Sequence, residues 1–448
     1  MGRLRIKIFI IFICCITVLF QQRNAQHLHL YFDPATTPAL IQMTHFINLP
    51  PNDLKIISWN RFHNHIKNKK QFPNTDFFIT DKNDFGNSSL VFQKIEKILQ
   101  TQQNVHIHLH FNLLHPAIYN FLSSHPKTKD KIKSVHVYED ASGHFLRDAN
   151  KDDFLTSLPK NSTLYHWGNL SKICSDNSFS RCSQIKKIKK NISLKEINFQ
   201  KLAHTFTEKK RKKLFDLTGF DYEKTKKLLS GKKTYFYILG HDWQKPVIGA
   251  QLAALKYLCQ PSSKTGTPKE GETASSSQSY WFYKNHPNGL NMPRHVILDH
   301  LCPNIKSIAT HLPFELLILS DLSPHNVAGF SSSLFFNLSS EQIAVYLERA
   351  NDPYRNILEK NALIHPNKIW TQKEIDKHLK ESDIFEFIED DNKSSWFLKI
   401  NENKMLNIFK NEEVKIIEQT KNDFIIQKNK KDIHTYQFQK DYQWLKKP

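Results

Sequence analysis

The chain has 448 residues, of which 39% are hydrophobic and 12% aromatic, so its composition excludes a disordered protein and its length allows two or three globular domains. Its 63 Lys and Arg residues against 43 Asp and Glu residues give a net charge of +20, which favours an anionic partner. No zinc-finger, RNP or GxxG pattern accompanies this charge, and the sequence therefore argues against specific nucleic-acid binding.

The N-terminus joins basic residues to an apolar run. Arg3, Arg5 and Lys7 precede the uncharged stretch Ile8–Phe20, which has the length of a signal peptide and is short for a membrane span of about 20 residues. No small-residue cleavage site comes after it. We interpret residues 1–25 as a signal-like membrane anchor, and its cleavage stays open.

Short β-rich runs alternate with helical stretches between residues 26 and 230. The expected strands are His27–Asp33, Ile56–Trp59, Phe77–Thr80, Val105–Phe111 and Ser134–Asp140, and the expected helices are Ala39–Asn48, Leu90–Gln100 and Pro116–Ser124. This alternation predicts a parallel sheet covered by helices. A basic, helical segment from about Lys186 to Lys227 separates the two halves of the chain.

The second half, residues 231–381, repeats this pattern. Its strand candidates are Thr234–Leu239, Tyr280–Tyr283, Phe314–Leu319 and Val327–Phe330, and Ala250–Cys259 is expected to be helical. Residues 382–448 contain two hairpin-like segments and predict a small β-rich appendage. We therefore expect an α/β protein with two domains that face each other across a cleft, followed by this appendage.

The six cysteines do not predict a disulfide framework in a chain of this length. Cys174 and Cys182 could close a short loop, but reduced thiols are the expected state.

A carboxylate stands at the end of one predicted strand. Asp140 can project from the strand end into a cleft, whereas Glu139 points to the other face because side chains alternate along a strand. A surface acid before a turn is the simpler alternative.

A basic motif ends a strand candidate in the second half. Lys284 and His286 lie two residues apart on one face of an extended segment, and Pro287 favours an extended backbone at His286. Both cationic side chains could contact a phosphate.

Hydroxyl groups and a second acid lie further along the same half. Ser331, Ser332 and Ser333 come after Gly329 and could hold a phosphate with their hydroxyl and backbone N–H groups. Glu315 lies within an apolar run, where a carboxylate needs a partner such as a ribose diol or a structural hydrogen bond. A base, an acid and a phosphate site together indicate glycosyl transfer from a nucleotide sugar without an obvious need for a metal.

His106, His108 and His110 alternate in one predicted strand and share one face. No neighbouring carboxylate or cysteine completes a metal site. We interpret them as a histidine-lined wall and expect no metal ligands.

Six sequence blocks occur in the order found in a known enzyme family. They are Leu30–Leu40, Leu109–His115, Val137–Asp140, Leu217–Asp221, Lys284–Gly289 and Val327–Phe336. With these blocks the chain resembles the bacterial sialyltransferases of glycosyltransferase family 80 from about His27 to Leu379.

This resemblance implies a GT-B fold with two Rossmann-like domains, and an inverting, metal-independent transfer of sialic acid from CMP-sialic acid (CMP-Neu5Ac). It implies that Asp140 is the catalytic base and that His286 is the acid serving the CMP phosphate. The remaining site residues fall into two groups, the donor-binding Lys284, Pro287, Glu315, Ser332 and Ser333, and the acceptor-binding Asn112, Trp243 and Gly143. The resemblance implies no cofactor besides the donor substrate.

The chain departs from the family pattern beside the acceptor. Ala141 stands where the family has Gly, and Gly143 and His144 replace larger or acidic residues. The expected acceptor is a galactoside hydroxyl of a surface glycan such as lipooligosaccharide, with α2,3 or α2,6 linkage open. Another CMP-sugar transferase (a polysialyl- or Kdo-transferase) and a non-catalytic glycan-binding surface protein remain alternatives.

The expected location combines two opposing features. CMP-sialic acid is expected in the cytoplasm, which favours a bacterial inner-membrane protein with a cytoplasmic catalytic part that contacts the membrane surface through its N-terminus. A basic N-terminus before an apolar run instead favours export of the remainder of the chain.

Overall fold

A computed structural model gives the structure of the chain as two compact units, of which the first ends at Asp221 and the second begins at Tyr222. The structure describes residues 25–80, 85–102, 104–140, 154–167, 174, 180–230, 233–239, 248–260, 280–285, 293–322, 324–330, 332–348, 352–390, 393–410, 412–429, 432–440 and 442–447. The signal-like segment lies outside these residues apart from Ala25.

A parallel sheet with the strand order β3-β2-β1-β4-β5-β6-β7 forms the centre of the first unit. Its strands are β1 (Gln26–Asp33), β2 (Leu54–Trp59), β3 (Thr75–Phe77), β4 (Val105–Asn112), β5 (Ile132–Tyr138), β6 (Ser162–Trp167) and β7 (Ser193–Ile197). Leu30 and Leu109 in the central strands are fully buried. The strand order changes direction between β1 and β4, and open α/β sheets bind ligands at the carboxyl ends of strands at such a switch point.

Helices connect and flank these strands. They are α1 (Thr36–Phe46), α2 (Leu90–Thr101), α3 (Ala117–Ser124), α4 (Phe154–Ser157), α5 (Ser180–Ile188), α6 (Phe199–His204) and α7 (Glu208–Thr218). Local signals set their ends. The Ser89 hydroxyl accepts the Phe92 N–H at the start of α2, and Gly219 adopts a positive φ of 71° after α7, a conformation that glycine adopts without a Cβ clash.

The second unit contains another parallel sheet, with the order β10-β9-β8-β11-β12-β13. Its strands are β8 (Thr234–Ile238), β9 (Tyr280–Lys284), β10 (Lys306–Ile308), β11 (Val327–Phe330), β12 (Ile343–Leu347) and β13 (Ile369–Trp370). The helices of this unit are α8 (Tyr222–Leu229), α9 (Ile248–Cys259), α10 (His295–Leu301), α11 (Glu315–Leu319), α12 (Pro353–Lys360) and α13 (Gln372–Lys380). The switch point of this sheet lies between β8 and β11.

The C-terminal region forms a closed barrel. Its strands are β14 (Ile384–Asp390), β15 (Lys393–Asn401), β16 (Lys404–Asn407), β17 (Glu413–Gln419), β18 (Asp423–Asn429), β19 (Asp432–Lys440) and β20 (Gln443–Lys446). Neighbouring strands are antiparallel, and the parallel pair β14–β20 closes the barrel. Phe387, Phe424 and Tyr436 fill its interior. The predicted fold class, GT-B with a C-terminal β-rich region, is confirmed, and that region is more extensive than two hairpins.

Two secondary-structure expectations were wrong. The run predicted as strand Phe314–Leu319 is helix α11, because a short, continuously apolar run suits a buried helix as well as a buried strand. The basic segment from Lys186 to Lys227 contains the edge strand β7 between its helices.

The expectation of reduced thiols was also wrong for the four described cysteines. Cys174 is bonded to Cys182, and Cys259 is bonded to Cys302. The second pair is separated by 43 residues and comes together because the C-terminal ends of α9 and α10 lie side by side, which spacing in the sequence does not reveal.

Among the described residues, no helix combines the length and the apolar character needed to cross a membrane.

Candidate active site

Polar side chains gather at the carboxyl edge of the first sheet, beside its switch point. Asp33 ends β1, Asn112 ends the neighbouring β4, and Asp140 lies two residues beyond the end of β5. Asp33 and Asn112 are buried, whereas Asp140 is partly exposed. The strand order therefore brings a solvent-accessible carboxylate and a buried carboxylate to one edge.

Asn112, predicted to bind the acceptor, is fully buried. Its Nδ2 group donates to Asp33 Oδ1 at 3.3 Å, and its Oδ1 accepts the Leu114 N–H at 2.9 Å. The amide therefore lies just beneath the sheet edge and joins β1 to the turn after β4.

The two acids after β5 lie in different surroundings. Glu139 is fully buried, and its backbone N–H donates to Tyr165 O at 3.0 Å. Asp140 is partly exposed and interacts electrostatically with Arg61. Burial lowers the pKa of Arg61, and the negative charge of Asp140 raises it. A partly exposed carboxylate in this position can accept a proton from a substrate hydroxyl.

Arg61 is a site residue that sequence reasoning missed. It follows the carboxyl end of β2 and its Nε donates to Pro34 O at 3.2 Å. The sequence did contain a signal for Arg61. It stands two residues after Trp59, the last residue of a predicted strand, and therefore at the same sheet edge as Asp140.

A small cavity of about 30 Å³ opens beside these residues. Asp33, Asn60 and His115 line it together with Phe32 and Phe85. This volume is close to that of one water molecule, so the cavity is too small to hold a sugar ring.

In the second unit, a lysine and a glutamate interact near the switch point of the second sheet. Lys284 ends β9 and its Nζ donates to Asn285 O at 2.6 Å and to Thr310 O at 3.0 Å. The pKa of Lys284 is lowered to about 8, because the effect of burial exceeds that of the Glu315 charge, which raises it. Lys284 is therefore mainly cationic at pH 7.

Glu315 is the first residue of α11 and is buried. The pKa of Glu315 is raised, because the effect of burial exceeds that of the hydrogen bonds and the Lys284 cation, which lower it. Asn337, which sequence reasoning did not single out, donates from Nδ2 to Glu315 Oε1 at 3.2 Å. The structure therefore brings two predicted donor-binding residues, Lys284 and Glu315, into one electrostatic pair.

The serine motif follows β11 at the same switch point. Ser332 precedes the 3-10 helix Ser333–Asn337, and its Oγ accepts the Leu334 N–H at 3.3 Å. A Cβ atom on Gly329 would come within 2.6 Å of Ile238 O, so only glycine allows β11 to approach β8 this closely.

Several predicted site residues lie outside the described residues. They are Gly143, Trp243, His286, Pro287 and Ser331. The backbone of Ser333 is described, and its side chain is not.

The alternating histidines of β4 belong to a hydrogen-bonded face of the first sheet. His108 contacts His27 at 2.8 Å and Ser134 at 2.7 Å, and His110 contacts His29 at 3.3 Å. No group of three His, Cys, Asp or Glu side chains in the described part of the chain is arranged to hold a metal ion.

A family model described as Sialyltransferase PMO188 matches residues 28–162 and 164–366. This match covers most of both sheets and includes Asp140, Lys284, Glu315 and Ser332. The chain belongs to this sialyltransferase family. It is therefore a glycosyltransferase, and the resemblance to glycosyltransferase family 80 is confirmed.

Solved structures of bacterial sialyltransferases have the same fold. An α/β-galactoside α-2,3-sialyltransferase from Photobacterium phosphoreum is 19% identical, with a TM-score of 0.59 over 78% of this chain and 99% of its own. The GT-B domain of a Photobacterium damselae sialyltransferase is 17% identical, with a TM-score of 0.58 over 77% of this chain and 100% of its own. A 2,6-sialyltransferase from Photobacterium sp. JT-ISH-224, in a ternary complex with CMP and lactose, is 18% identical, with a TM-score of 0.57 over 78% of both chains. No curated protein matches the sequence.

Proposed function

We propose that this glycosyltransferase moves sialic acid from CMP-Neu5Ac to a galactoside hydroxyl of a surface glycan such as lipooligosaccharide. The transfer inverts the anomeric configuration and needs neither a metal nor another cofactor. The observation that carries the proposal is the partly exposed Asp140 at the carboxyl edge of the first sheet, beside its switch point, in a chain that belongs to a sialyltransferase family.

In this proposal Asp140 is the general base. The acceptor oxygen forms a bond to the anomeric carbon as its proton passes to the Asp140 carboxylate. The bond between that carbon and the phosphate oxygen breaks on the opposite face, and its electron pair leaves with CMP. Attack and departure on opposite faces give inversion.

The leaving phosphate needs positive charge and hydrogen-bond donors. Lys284, mainly cationic at pH 7 because its pKa is about 8, supplies charge near the carboxyl end of β9. His286 donates a proton to the phosphate, Pro287 sets its backbone, and Ser332 and Ser333 bind the phosphate oxygens. Because these groups neutralise the phosphate, a divalent ion is not required.

Glu315 is proposed to bind the ribose of CMP. Its Oε1 accepts from Asn337, and the carboxylate retains further acceptor capacity for a diol. Lys284 stabilises its negative charge. The same pair thus serves both the sugar and the phosphate of the nucleotide.

The acceptor is proposed to bind near Asn112, Trp243 and Gly143. Lactose accompanies CMP in the complex of the Photobacterium sp. JT-ISH-224 protein, which supports a galactoside acceptor. Two of the similar sialyltransferases are named for different linkages, one for α-2,3 and the other for 2,6, so the product must be analysed to assign the linkage.

The two disulfides favour export of the catalytic part over a cytoplasmic location. Disulfides persist in oxidising compartments and are rare in the cytosol, and the two pairs involve all four described cysteines. We propose that residues after the N-terminal segment face an oxidising compartment and contact the membrane surface through that segment. CMP-Neu5Ac must then be supplied on the same side.

The test is an assay of the full-length chain with CMP-Neu5Ac and lactose in EDTA. Asp140→Ala is run beside it, with Asp130→Ala as the matched control because Asp130 is an exposed carboxylate before the same strand. We expect sialyl-lactose from the parent and the control, and a loss of about 10²–10⁴-fold in Asp140→Ala. NMR of the product gives the linkage and the anomeric configuration.

Other outcomes assign other functions. Release of CMP without formation of sialyl-lactose would mean that CMP-Neu5Ac is the donor and that the acceptor is a molecule other than lactose. Sialoside binding without CMP release by folded protein would replace transfer with glycan binding. Activity that disappears in EDTA and returns with a divalent ion would overturn metal independence.

A further inference from the structure

Basic side chains are concentrated at the amino edge of the first sheet, opposite the edge that carries Asp140. All strands of this sheet are parallel, so the segments that lead into β5, β6 and β7 lie together at this edge. These segments and the second residue of β5 contribute six lysines, of which five are exposed and one, Lys131, is partly exposed. We refer to them as the lysine edge, and they are Lys129, Lys131, Lys133, Lys160, Lys189 and Lys190.

Little negative charge offsets these lysines. None of the six forms an ion pair with another of the described residues. Asp130 is an exposed acid within the edge. Asp53, just before β2, is partly buried and contacts His29 Nε2 at 3.3 Å. Lys127, from the segment before β5, pairs with Glu96 at 2.6 Å. The edge therefore presents more positive than negative charge to solvent.

Strand β1 begins at the same edge. Gln26 is its first residue; the backbone N–H donates to Asn104 O at 2.9 Å and the side-chain Nε2 donates to Asn52 O at 3.1 Å. In the sequence, only five residues separate Gln26 from the apolar run Ile8–Phe20. Strands β1 and β5 are two strand spacings apart in the sheet, which is about 10 Å. An N-terminal segment held in a membrane would therefore bring the lysine edge close to the bilayer surface.

The histidines at the start of β1 and β4 lie within the positive field of the lysine edge. His27 and His106 contact each other edge to face, with ring centroids 5.6 Å apart. Burial lowers the pKa of His106, and the charges of Lys133, His27 and Lys131 lower it further. The start of β1 and the first lysines of β5 thus belong to one continuous surface.

We propose that the lysine edge is a docking surface for a bilayer that contains anionic phospholipids. Lysine ammonium groups act as point charges toward lipid phosphates. A basic patch beside a weak apolar anchor also supplies the second signal that stable membrane attachment requires. The proposal rests on the proposed function and deepens it, because it gives the enzyme a direction on the membrane.

This direction follows from strand β5. The strand has seven residues and is therefore roughly 23 Å long. The lysine edge lies at its start, and Asp140 lies beyond its end. With the lysine edge on the bilayer, the edge that carries Asp140 faces away from the headgroups and toward the outer sugars of a membrane-linked glycan.

The test is flotation of the full-length chain with two kinds of vesicle, one of phosphatidylcholine alone and one of phosphatidylcholine and phosphatidylglycerol in equal parts. Binding to the neutral vesicles measures the apolar N-terminal segment, and the excess on the anionic vesicles measures the effect of charge. We expect an excess of about 100-fold or more in about 0.1 M salt. It should disappear in about 1 M salt, where the Debye length falls from about 10 Å to about 3 Å.

The variant Lys129→Gln/Lys131→Gln/Lys133→Gln/Lys160→Gln removes four charges and leaves the basic N-terminal residues unchanged. A lysine near an anionic surface contributes about fivefold to partitioning, the equivalent of about 1 kcal/mol. We expect the variant to lose about 100-fold in binding to the anionic vesicles and nothing in binding to the neutral ones. Thermal melting and transfer to soluble lactose should match the parent. If the fourfold variant does not fold, Lys189→Gln/Lys190→Gln tests the same surface, with an expected loss of about 25-fold.

The matched control removes four exposed lysines from the second unit and changes the net charge equally. It is Lys373→Gln/Lys377→Gln/Lys410→Gln/Lys421→Gln, and we expect its binding to both vesicles to equal that of the parent. An equal loss in the two variants would overturn the proposal and assign binding to net charge.

Two further outcomes would also overturn the proposal. The first is equal binding of the parent to neutral and anionic vesicles. The second is displacement from anionic vesicles by DNA at the same phosphate concentration, which would make a nucleic acid the better partner. A parent that binds anionic vesicles through the lysine edge but transfers nothing to lactose would instead overturn the proposed function alone.

Discussion

Gly249 in α9 lies directly against the indole ring of Trp396 in β15. A Cβ atom on Gly249 would come within 2.0 Å of a ring carbon. Trp396 is 2% exposed and shares one hydrophobic cluster with Leu252 of α9 and Leu298 of α10. The barrel is therefore joined to the helices of the second sheet through a common core.

This contact predicts that Gly249→Ala destabilises the protein. Alanine normally stabilises a helix relative to glycine by about 1 kcal/mol, but the added methyl group must displace a buried ring, and overpacking costs about 1–3 kcal/mol. We expect a lower free energy of unfolding in urea. Gly86→Ala is the control because a Cβ atom at Gly86 would meet nothing within 4 Å. Equal stability of both variants would mean that Trp396 moves aside without cost.

The Cys259–Cys302 bond predicts a redox-dependent stability of the second unit. It closes a separation of 43 residues, for which the chain-entropy model gives roughly 4 kcal/mol. The Cys174–Cys182 bond closes only 8 residues and should contribute roughly 2.5 kcal/mol. We expect a reductant to lower the melting temperature of the parent.

Alanine variants separate the two bonds. Cys259→Ala/Cys302→Ala should lose most of the response to reductant, and Cys174→Ala/Cys182→Ala should keep most of it. Thiol titration of unfolded, unreduced protein should leave all four cysteines unlabelled. Labelling of Cys259 or Cys302 in protein isolated from its own compartment would contradict both this prediction and the proposed oxidising location.

The sequence predicted the elements that carry strong local patterns, such as the central strands β1, β4 and β5 with the acid after β5. It did not predict edge strand β7, whose sequence Ser193–Ile197 is mostly exposed and polar. The buried contacts of Asp33 were also missed, because its partners Gln42 and Asn112 are 9 and 79 residues away in the chain. Local periodicity does not encode such contacts, since they depend on which strands become neighbours.

The Lys284–Glu315 pair predicts a donor-specific effect of Glu315→Gln. Glutamine can still accept from Asn337, but it lacks the charge offered to the ribose hydroxyls. A hydrogen bond to a charged group contributes about 1.5–3 kcal/mol, so we expect KM for CMP-Neu5Ac to rise about 10–100-fold with KM for lactose unchanged. Glu348→Gln is the control, because Glu348 pairs with Arg355 at 2.8 Å and not with Lys284. An equal KM for CMP-Neu5Ac in the two variants would mean that Glu315 does not bind the donor.

The histidine-rich face of the first sheet predicts acid sensitivity. Burial, together with neighbouring histidines, lowers the pKa of His29 to about 2 and that of His108 to about 4. Burial also lowers the pKa of His136 to about 3, with His45 and His108 contributing. These imidazoles are therefore neutral in the folded protein at neutral pH. Their hydrogen bonds go to other side chains: His29 contacts His110, His108 contacts His27, and both His108 and His136 contact Ser134.

The sign of the effect is set by proton binding. Below a pH of about 6.5 the unfolded chain protonates its histidines, whereas the folded chain keeps these side chains neutral down to their lowered pKa values. The free energy of unfolding should therefore fall as the pH drops from about 6.5 to about 4, by about 1.4 kcal/mol per pH unit for each such histidine. Several histidines acting together make this slope steep.

His136→Phe tests one member of this face. His136 stacks on His110 with ring centroids 4.4 Å apart, and its Nδ1 has no hydrogen-bond partner among the described residues. Phenylalanine keeps the stack, loses the Ser134 hydrogen bond and cannot titrate. We expect urea unfolding between pH 7 and 5 to show an average slope about 1 kcal/mol per pH unit smaller than that of the parent. The exposed His204, changed to Asn, should leave the slope unchanged. A slope unaffected by His136→Phe would mean that His136 already binds its proton in the folded protein, and that the acid sensitivity arises elsewhere.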